Sequence, residues 1–240
     1  MTKSGAGLGA AGLAAVVVLT QAAFGTARAA GDGSDHPAAT AASTSPQEAL
    51  HRLMDGNQRF VAGKPTREHQ SASWRAGLRG GQHPFATILG CSDSRVPVEM
   101  IFDQGFGQLF VVRVAGNVAA DDEQGSIDYA VVHLHIPLVV VLGHEQCGAV
   151  TAALGSEADR KKEPEAIQAL LGRIDPALKA LPPEANESAR VQRAIEANVR
   201  QSVQQLRNAT AMGDRIRRGE LNVVGAVYEL ETGRIRWLKE

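Results

Sequence analysis

Two short apolar runs, each followed directly by residues that bind metals well, constrain the fold of this chain more than any other feature. The first run covers residues 86–90 and leads into Cys91-Ser92-Asp93-Ser94-Arg95, and the second covers residues 138–143 and leads into His144-Glu145-Gln146-Cys147. β-Branched apolar runs of this length are typical of buried strands. Because ligands of open α/β sheets bind at the carboxyl ends of the strands, both polar segments are expected at one edge of a sheet.

Three residues in these segments, Cys91, His144 and Cys147, are of the types that zinc selects. Three protein ligands with one open position are the arrangement of a catalytic zinc site, whereas structural sites usually have four ligands. Asp93 can fill the fourth position, so both kinds of site stay open. The chain has two cysteines, and a single disulfide between them is the alternative to a metal site. That alternative leaves His144 and Asp93 unexplained.

The composition predicts a globular protein. The chain has 240 residues, 44% of them hydrophobic, and its formal net charge is −1. This length is sufficient for one substantial core, alone or with a helical subdomain. A near-neutral charge argues against nucleic-acid binding, which requires a basic surface.

The N-terminal part of the chain differs in composition from the rest. Residues 1–29 are typical of a secretory signal, because residues 8–24 are mostly apolar and because Ala27 and Ala29 are small residues at the positions that a signal peptidase reads. Two polar residues interrupt the apolar segment, which favours cleavage over a stable membrane span. Residues 30–45 have the composition of a disordered linker. The sequence therefore predicts a periplasmic or secreted protein.

Residues 46–240 are expected to form one α/β domain. Ser45, Pro46 and Glu48 form an N-terminal capping pattern, and the apolar residues that follow predict a helix over 46–61 with one apolar face. Beyond residue 86, apolar strand patterns alternate with helical patterns, which predict helices at 98–102, 125–135 and 147–154. Such alternation predicts a mostly parallel central sheet flanked by helices. Residues 222–229 and 234–238 predict an edge strand or hairpin at the C-terminus.

The two metal-binding segments also contain groups suited to catalysis. Cys147 falls in the first turn of a predicted helix, where free backbone amides favour a thiolate. Asp93 and Arg95 are two residues apart, and a carboxylate pairs with a guanidinium through parallel hydrogen bonds. Asp93 can therefore be held by Arg95 or released to a metal. Without the neighbouring cysteine, an exposed salt bridge on a turn is the simpler interpretation of this pair.

Together these segments make the chain resemble the β-class carbonic anhydrases. The resemblance rests on residues 91–95 (CSDSR), 109–113 (LFVVR), 125–130 (GSIDYA) and 143–148 (GHEQCG). It extends from about residue 46 to the C-terminus, and it is loose over residues 157–190.

The resemblance implies a cofactor, Zn²⁺, held by Cys91, His144 and Cys147. It implies that Asp93 is either paired with Arg95 or acts as a fourth zinc ligand.

The resemblance also implies a substrate pocket and an oligomer. Gln82, Phe110 and Tyr129 are expected to line the pocket, with Tyr129 a candidate to come from the neighbouring subunit. The unit is expected to be a homodimer or a higher homo-oligomer, in which the helix at 46–61 embraces the partner.

The implied activity is the reversible hydration of carbon dioxide to bicarbonate and a proton, with Asp93 and Arg95 in catalytic roles. Two alternatives stay open. The first is an enzyme of the same fold that hydrolyses carbonyl sulfide or carbon disulfide. The second is a zinc-binding protein without catalytic activity.

Overall fold

A computed structural model describes residues 44–179, 181–182 and 186–239 of the chain. The predicted signal segment, 1–29, and nearly all of the predicted linker, 30–45, lie outside the described residues. Within the described residues, no helix is both long enough and apolar enough to cross a membrane.

Helices alternate with strands along most of the described chain. The α-helices are α1 Pro46–Val61, α2 Ala72–Gly77, α3 Val98–Ile101, α4 Asp121–His133, α5 Gly148–Ala153, α6 Glu157–Arg160, α7 Glu165–Lys179, α8 Glu187–Asn208 and α9 Thr210–Arg217. The strands are β1 Ala86–Gly90, β2 Leu109–Arg113, β3 Leu138–His144, β4 Asn222–Tyr228 and β5 Ile235–Trp237.

The strands form one sheet in the order β2-β1-β3-β4-β5. The first four strands in this order are parallel, and β5 is antiparallel to β4. The predicted α/β class with a mostly parallel sheet is therefore confirmed. The C-terminal strands pair as predicted, but only β5 is at the edge, since β4 also pairs with β3.

Helix α1 begins where the capping pattern predicts. The amide of Glu48 donates to the Ser45 hydroxyl over 3.2 Å, and the Ser45 amide donates to the Glu48 carboxylate over 2.8 Å. These two bonds satisfy backbone donors that a helix start leaves free. Ala49 and Leu53 on the apolar face of α1 are fully buried in the core.

The sheet separates two apolar clusters. One contains Leu89, Val139 and Val141 with residues of α4, α5, α7 and α8, and both cysteines belong to it. The other contains Ile88, Val140 and Leu142 with residues of α1 and α3. Successive residues of one strand alternate between the clusters because side chains of a strand point to opposite faces. Both cysteines therefore lie on the side of the sheet covered by α5 and α8.

One helix prediction requires correction. Helix α4 begins at Asp121 rather than at residue 125, because three acidic residues in its first turn stabilise the positive end of the helix.

A buried carboxylate, Asp103, closes the loop that follows α1. Its two oxygens accept hydrogen bonds from Arg59 Nε at 2.6 Å, from the Thr66 amide and hydroxyl at 3.0 Å each, and from the Arg67 amide at 3.2 Å. Burial by itself would raise the pKa of Asp103, but these bonds outweigh burial and hold the pKa below its usual value. We call Asp103, Arg59, Thr66 and Arg67 the Asp103 cluster.

Candidate metal centre

The three predicted zinc ligands come together at the carboxyl ends of β1 and β3. Cys91 directly follows β1, His144 ends β3, and Cys147 follows three residues later. One ligating atom of each residue lies within 4.8 Å of the ligating atoms of the other two, and all three residues are buried. The two cysteines are free thiols, so the alternative of a disulfide is wrong for this structure.

The hydrogen bonds of His144 prepare its ring to bind a metal. Nδ1 is 2.8 Å from the carbonyl oxygen of Glu145, so Nδ1 carries the proton and donates it there. In the neutral imidazole Nε2 is then the acceptor, and it is one of four buried side-chain polar atoms among the described residues that have no hydrogen-bond partner. A buried imidazole nitrogen beside two thiols, with its lone pair free, fits a zinc ion.

The two thiols hold their protons unequally. A hydrogen bond from Cys147 lowers the pKa of Cys91 to about 4, and the backbone amide of Gly116 also donates to Cys91 Sγ over 3.3 Å. The same hydrogen bond with Cys91 raises the pKa of Cys147, and burial raises it further. The pair of thiols therefore loses one proton readily and shares the other. A divalent cation that displaces the shared proton converts both cysteines to thiolates.

Asp93 is paired with Arg95, as in the first of its two expected states. Nε and Nη2 of Arg95 donate to the two carboxylate oxygens over 3.0 and 2.8 Å. This bidentate contact holds the pKa of Asp93 well below its usual range. The carboxylate remains close to the centre, with Oδ2 3.8 Å from Nε2 of His144. Arg95 also donates to the Gln146 carbonyl over 3.3 Å and so links the two metal-binding segments.

Arg113 has a role in the site that the sequence analysis did not assign. It ends β2, beside β1, and donates through Nε to the Cys91 carbonyl over 3.0 Å and through Nη2 to the Asp93 carbonyl over 2.7 Å. It therefore fixes the backbone of the turn that carries both residues. The available signal was its place at the end of the strand that follows the first metal-binding segment.

The three predicted pocket residues do not surround the ligands of their own chain. Gln82 is exposed in the loop before β1, at the amino end of that strand. Phe110 pairs in register with Thr87 of β1, four residues before Cys91, which corresponds to about 13 Å along a strand. The half-exposed ring of Tyr129, in α4, lies 6.4 Å from that of Phe110. Phe110, which is half-buried, and Tyr129 therefore form an aromatic pair of their own.

The comparisons with known proteins agree with this geometry. The profile of the family described as Carbonic anhydrase matches residues 86–235. A relative called Carbonic anhydrase 2, from Mycobacterium tuberculosis (strain ATCC 25618 / H37Rv), is 44% identical over 192 residues, which are 80% of this chain and 92% of that protein.

Two solved structures share the fold. The β-carbonic anhydrase CcaA has a TM-score of 0.63 at 28% identity, over 79% of this chain and 95% of that one. One of two tetrameric β-carbonic anhydrases from the ascomycete Sordaria macrospora has a TM-score of 0.63 at 26% identity, over 80% of this chain and 97% of that one. This chain belongs to the β-class carbonic anhydrase family, whose members are zinc enzymes that reversibly hydrate carbon dioxide to bicarbonate.

Proposed function

We propose that this chain hydrates carbon dioxide with Zn²⁺ held by Cys91, His144 and Cys147. The observation that carries this assignment is the buried, unpartnered Nε2 of His144 within 4.8 Å of two buried thiols. When bound there, zinc supplies a Lewis acid that makes water nucleophilic near neutral pH. Addition of that water to CO₂ would yield bicarbonate and one proton.

Asp93 and Arg95 orient the reacting water in this proposal. Arg95 holds both oxygens of Asp93, so the carboxylate cannot rotate, and Oδ2 stays 3.8 Å from the imidazole nitrogen that binds the metal. A carboxylate fixed in this position accepts a hydrogen bond from the reacting water and so directs the lone pair of the water oxygen toward CO₂. Because Arg95 keeps the carboxylate ionised, Asp93 remains an acceptor throughout.

A second copy of the chain completes the substrate pocket in this proposal. Strand β2 is an edge of the sheet, its apolar residues are only half buried, and its hydrogen-bonding groups on one side have no strand partner among the described residues. Two β2 edges related by a two-fold axis run antiparallel, so the amino end of one lies beside the carboxyl end of the other. This arrangement carries Gln82, Phe110 and Tyr129 toward the partner's metal centre, and it supports a homodimer or a multiple of one.

The proposed location of the protein is outside the cytoplasm, in the periplasm or secreted. The support is the sequence pattern of residues 1–29, with an apolar segment followed by small residues at a cleavage position. Residues 30–45 then serve as a linker between the cleavage site and the enzyme.

Metal analysis and a CO₂ hydration assay on the purified protein test the proposed chemistry. About one zinc per chain and rapid hydration of CO₂ are expected, since the site has one set of three ligands. Zinc with no hydration would favour the non-catalytic alternative. Faster hydrolysis of carbonyl sulfide or carbon disulfide than hydration of CO₂ would favour the other alternative.

Mixing two inactive variants tests the shared pocket. Cys147→Ser removes a metal ligand, and Gln82→Ala removes a pocket group that we assign to the partner's site. In a mixed dimer one site combines the intact metal centre of one chain with the intact pocket of the other. If the chains refold and pair at random, about a quarter of wild-type activity should return. No recovery, with mixed dimers present, would place Gln82 in the pocket of its own chain.

A further inference from the structure

Glu145, between the zinc ligands His144 and Cys147, makes three hydrogen bonds with three different groups. Its carbonyl oxygen accepts from Nδ1 of His144 at 2.8 Å. Its amide donates to the Tyr228 carbonyl at 3.0 Å, and its carboxylate Oε2 accepts the amide proton of Leu230 at 3.0 Å. One residue therefore orients a zinc ligand and joins the ligand segment to the end of β4.

The segment that Glu145 joins to β4 is a strained turn. Gln146 has a φ of +52°, in the left-handed region that residues other than glycine adopt at a cost. A backbone in such a conformation persists only where surrounding contacts hold it. Arg95 holds the turn on one side through its bond to the Gln146 carbonyl. Glu145 holds it on the other side through its bonds with Tyr228, at the end of β4, and with Leu230, two residues later.

The carboxylate bond is the contact of Glu145 that depends on the identity of the side chain. The bond from its amide to Tyr228 continues the pairing of β3 with β4, in which His144 lies opposite Tyr228, and any residue with an amide makes it. The bond from Leu230 requires an acceptor of the length of Glu or Gln. It extends the attachment two residues beyond the strand, into the turn that precedes β5.

We propose that Glu145 is a positioning residue for the metal centre. By fixing the turn after β4 with its side chain, it fixes its own carbonyl and so the imidazole of His144. This role rests on the proposed function, because it presumes zinc on His144. Residues that orient metal ligands in this way contribute about 10- to 100-fold to metal affinity.

Zinc release from the loaded protein, measured with an excess of a chromogenic chelator, tests the role directly. Glu145→Ala removes the acceptor and Glu145→Asp shortens it, and both should release zinc about tenfold faster than wild type. Glu145→Gln retains an oxygen at the same length and should release zinc at nearly the wild-type rate. Glu231→Ala, which removes an exposed carboxylate in the same turn, is the matched control and should behave as wild type.

The absorption spectrum of the Co²⁺-substituted protein provides a second measurement. Its sulfur-to-cobalt and d–d bands report the geometry of the ligands, and they should change in Glu145→Ala and be restored in Glu145→Gln. A role in stability alone would lower the unfolding temperature and leave the spectrum and the zinc release rate unchanged. That result would overturn the proposal.

The outcomes separate this proposal from the function on which it rests. A zinc-loaded wild type whose Ala and Asp variants release zinc at the wild-type rate would overturn the role of Glu145 alone. A wild-type chain that binds no zinc would overturn both. If Glu145→Ala does not fold, the Asp variant and its comparison with Gln still decide the question.

Discussion

The metal centre and the Asp103 cluster are both buried polar groups, but they are built in opposite ways. Each oxygen of Asp103 accepts at least one hydrogen bond from the protein, and the carboxylate needs nothing else. In the metal centre, Nε2 of His144 has no partner among the described residues. The two thiols beside it are hydrogen-bonded to each other, and Cys91 Sγ also accepts from the Gly116 amide.

The difference between the two clusters shows what distinguishes a buried ligand-binding site from a buried polar cluster that only stabilises the fold. A buried polar atom without a partner costs about 1–3 kcal/mol, and folding recovers this cost only if something else binds the atom. The Asp103 cluster recovers it within the chain and thereby closes a loop. The metal centre leaves lone pairs that a zinc ion takes up, so its contribution to stability depends on the metal.

The largest effect is expected from removing a donor of the metal centre. Cys147→Ser should lower zinc affinity and CO₂ hydration by more than about 100-fold, since changes outside the ligand set alone cost up to that much. Zinc content by mass spectrometry and stopped-flow hydration measure the two quantities, with circular dichroism to verify the fold. Full zinc occupancy in the variant would show that Cys147 is not a ligand.

Asp93→Asn should separate catalysis from metal binding. The amide retains the shape of the side chain but loses the charge that Arg95 holds, so hydration should fall by about 100-fold while zinc content stays at the wild-type level. Stopped-flow rates at full zinc loading provide the test. A nearly normal rate would mean that the pair is a surface salt bridge.

Asp103→Asn should affect stability and leave the metal centre unchanged. An amide cannot accept all the bonds that the carboxylate receives, so the free energy of unfolding should fall by about 1–3 kcal/mol. Urea denaturation of the zinc-loaded protein measures this change, with Asp214→Asn as a control that removes an exposed ion pair and should have little effect. Loss of zinc from Asp103→Asn would contradict the separation of the two clusters.

The smallest expected effect is a dependence of stability on pH. The pKa of Asp103 is lower in the folded chain than in the unfolded chain, where it is about 3.9. Its stabilisation is therefore complete above that unfolded value and is lost as the pH falls toward the folded value. The comparison uses Cys147→Ser with and without Asp103→Asn, so that zinc release does not contribute. The free energies of unfolding of these two proteins should converge as the solution is acidified. A constant difference would show that Asp103 does not titrate with unfolding.

The elements of the fold that sequence could predict are those encoded by local patterns. The capping residues Ser45 and Glu48 placed the start of α1, and the apolar run before Cys91 placed β1 at residues 86–90, as the structure has it. The start of α4 was missed, although the acidic residues from Asp121 onward were a usable signal.

The residues of the metal centre that lie at strand ends could be predicted from the sequence. Those that reach the site through long-range contacts could not. The Glu145 carboxylate accepts a hydrogen bond from the amide of Leu230, 85 residues away, and no local sequence pattern predicts such a bond. The resemblance named Gln82 and Phe110 without assigning them to their own chain or a partner, and no local pattern shows which chain supplies a residue to a shared pocket. The register of β2 on β1 shows the distance of Phe110 from Cys91.

The bond between Glu145 and Leu230 also has a consequence for the order of folding. Strand β3 ends at His144, and its neighbour β4 begins only at Asn222, after α5 to α9. Pairing across such a separation is entropically costly and forms late. We therefore expect the three zinc ligands to come together first. Residues 222–230 then pair with β3 and fix the turn between His144 and Cys147. Secure retention of the metal then marks the last step of folding, and a chain stalled before that step should exchange zinc freely.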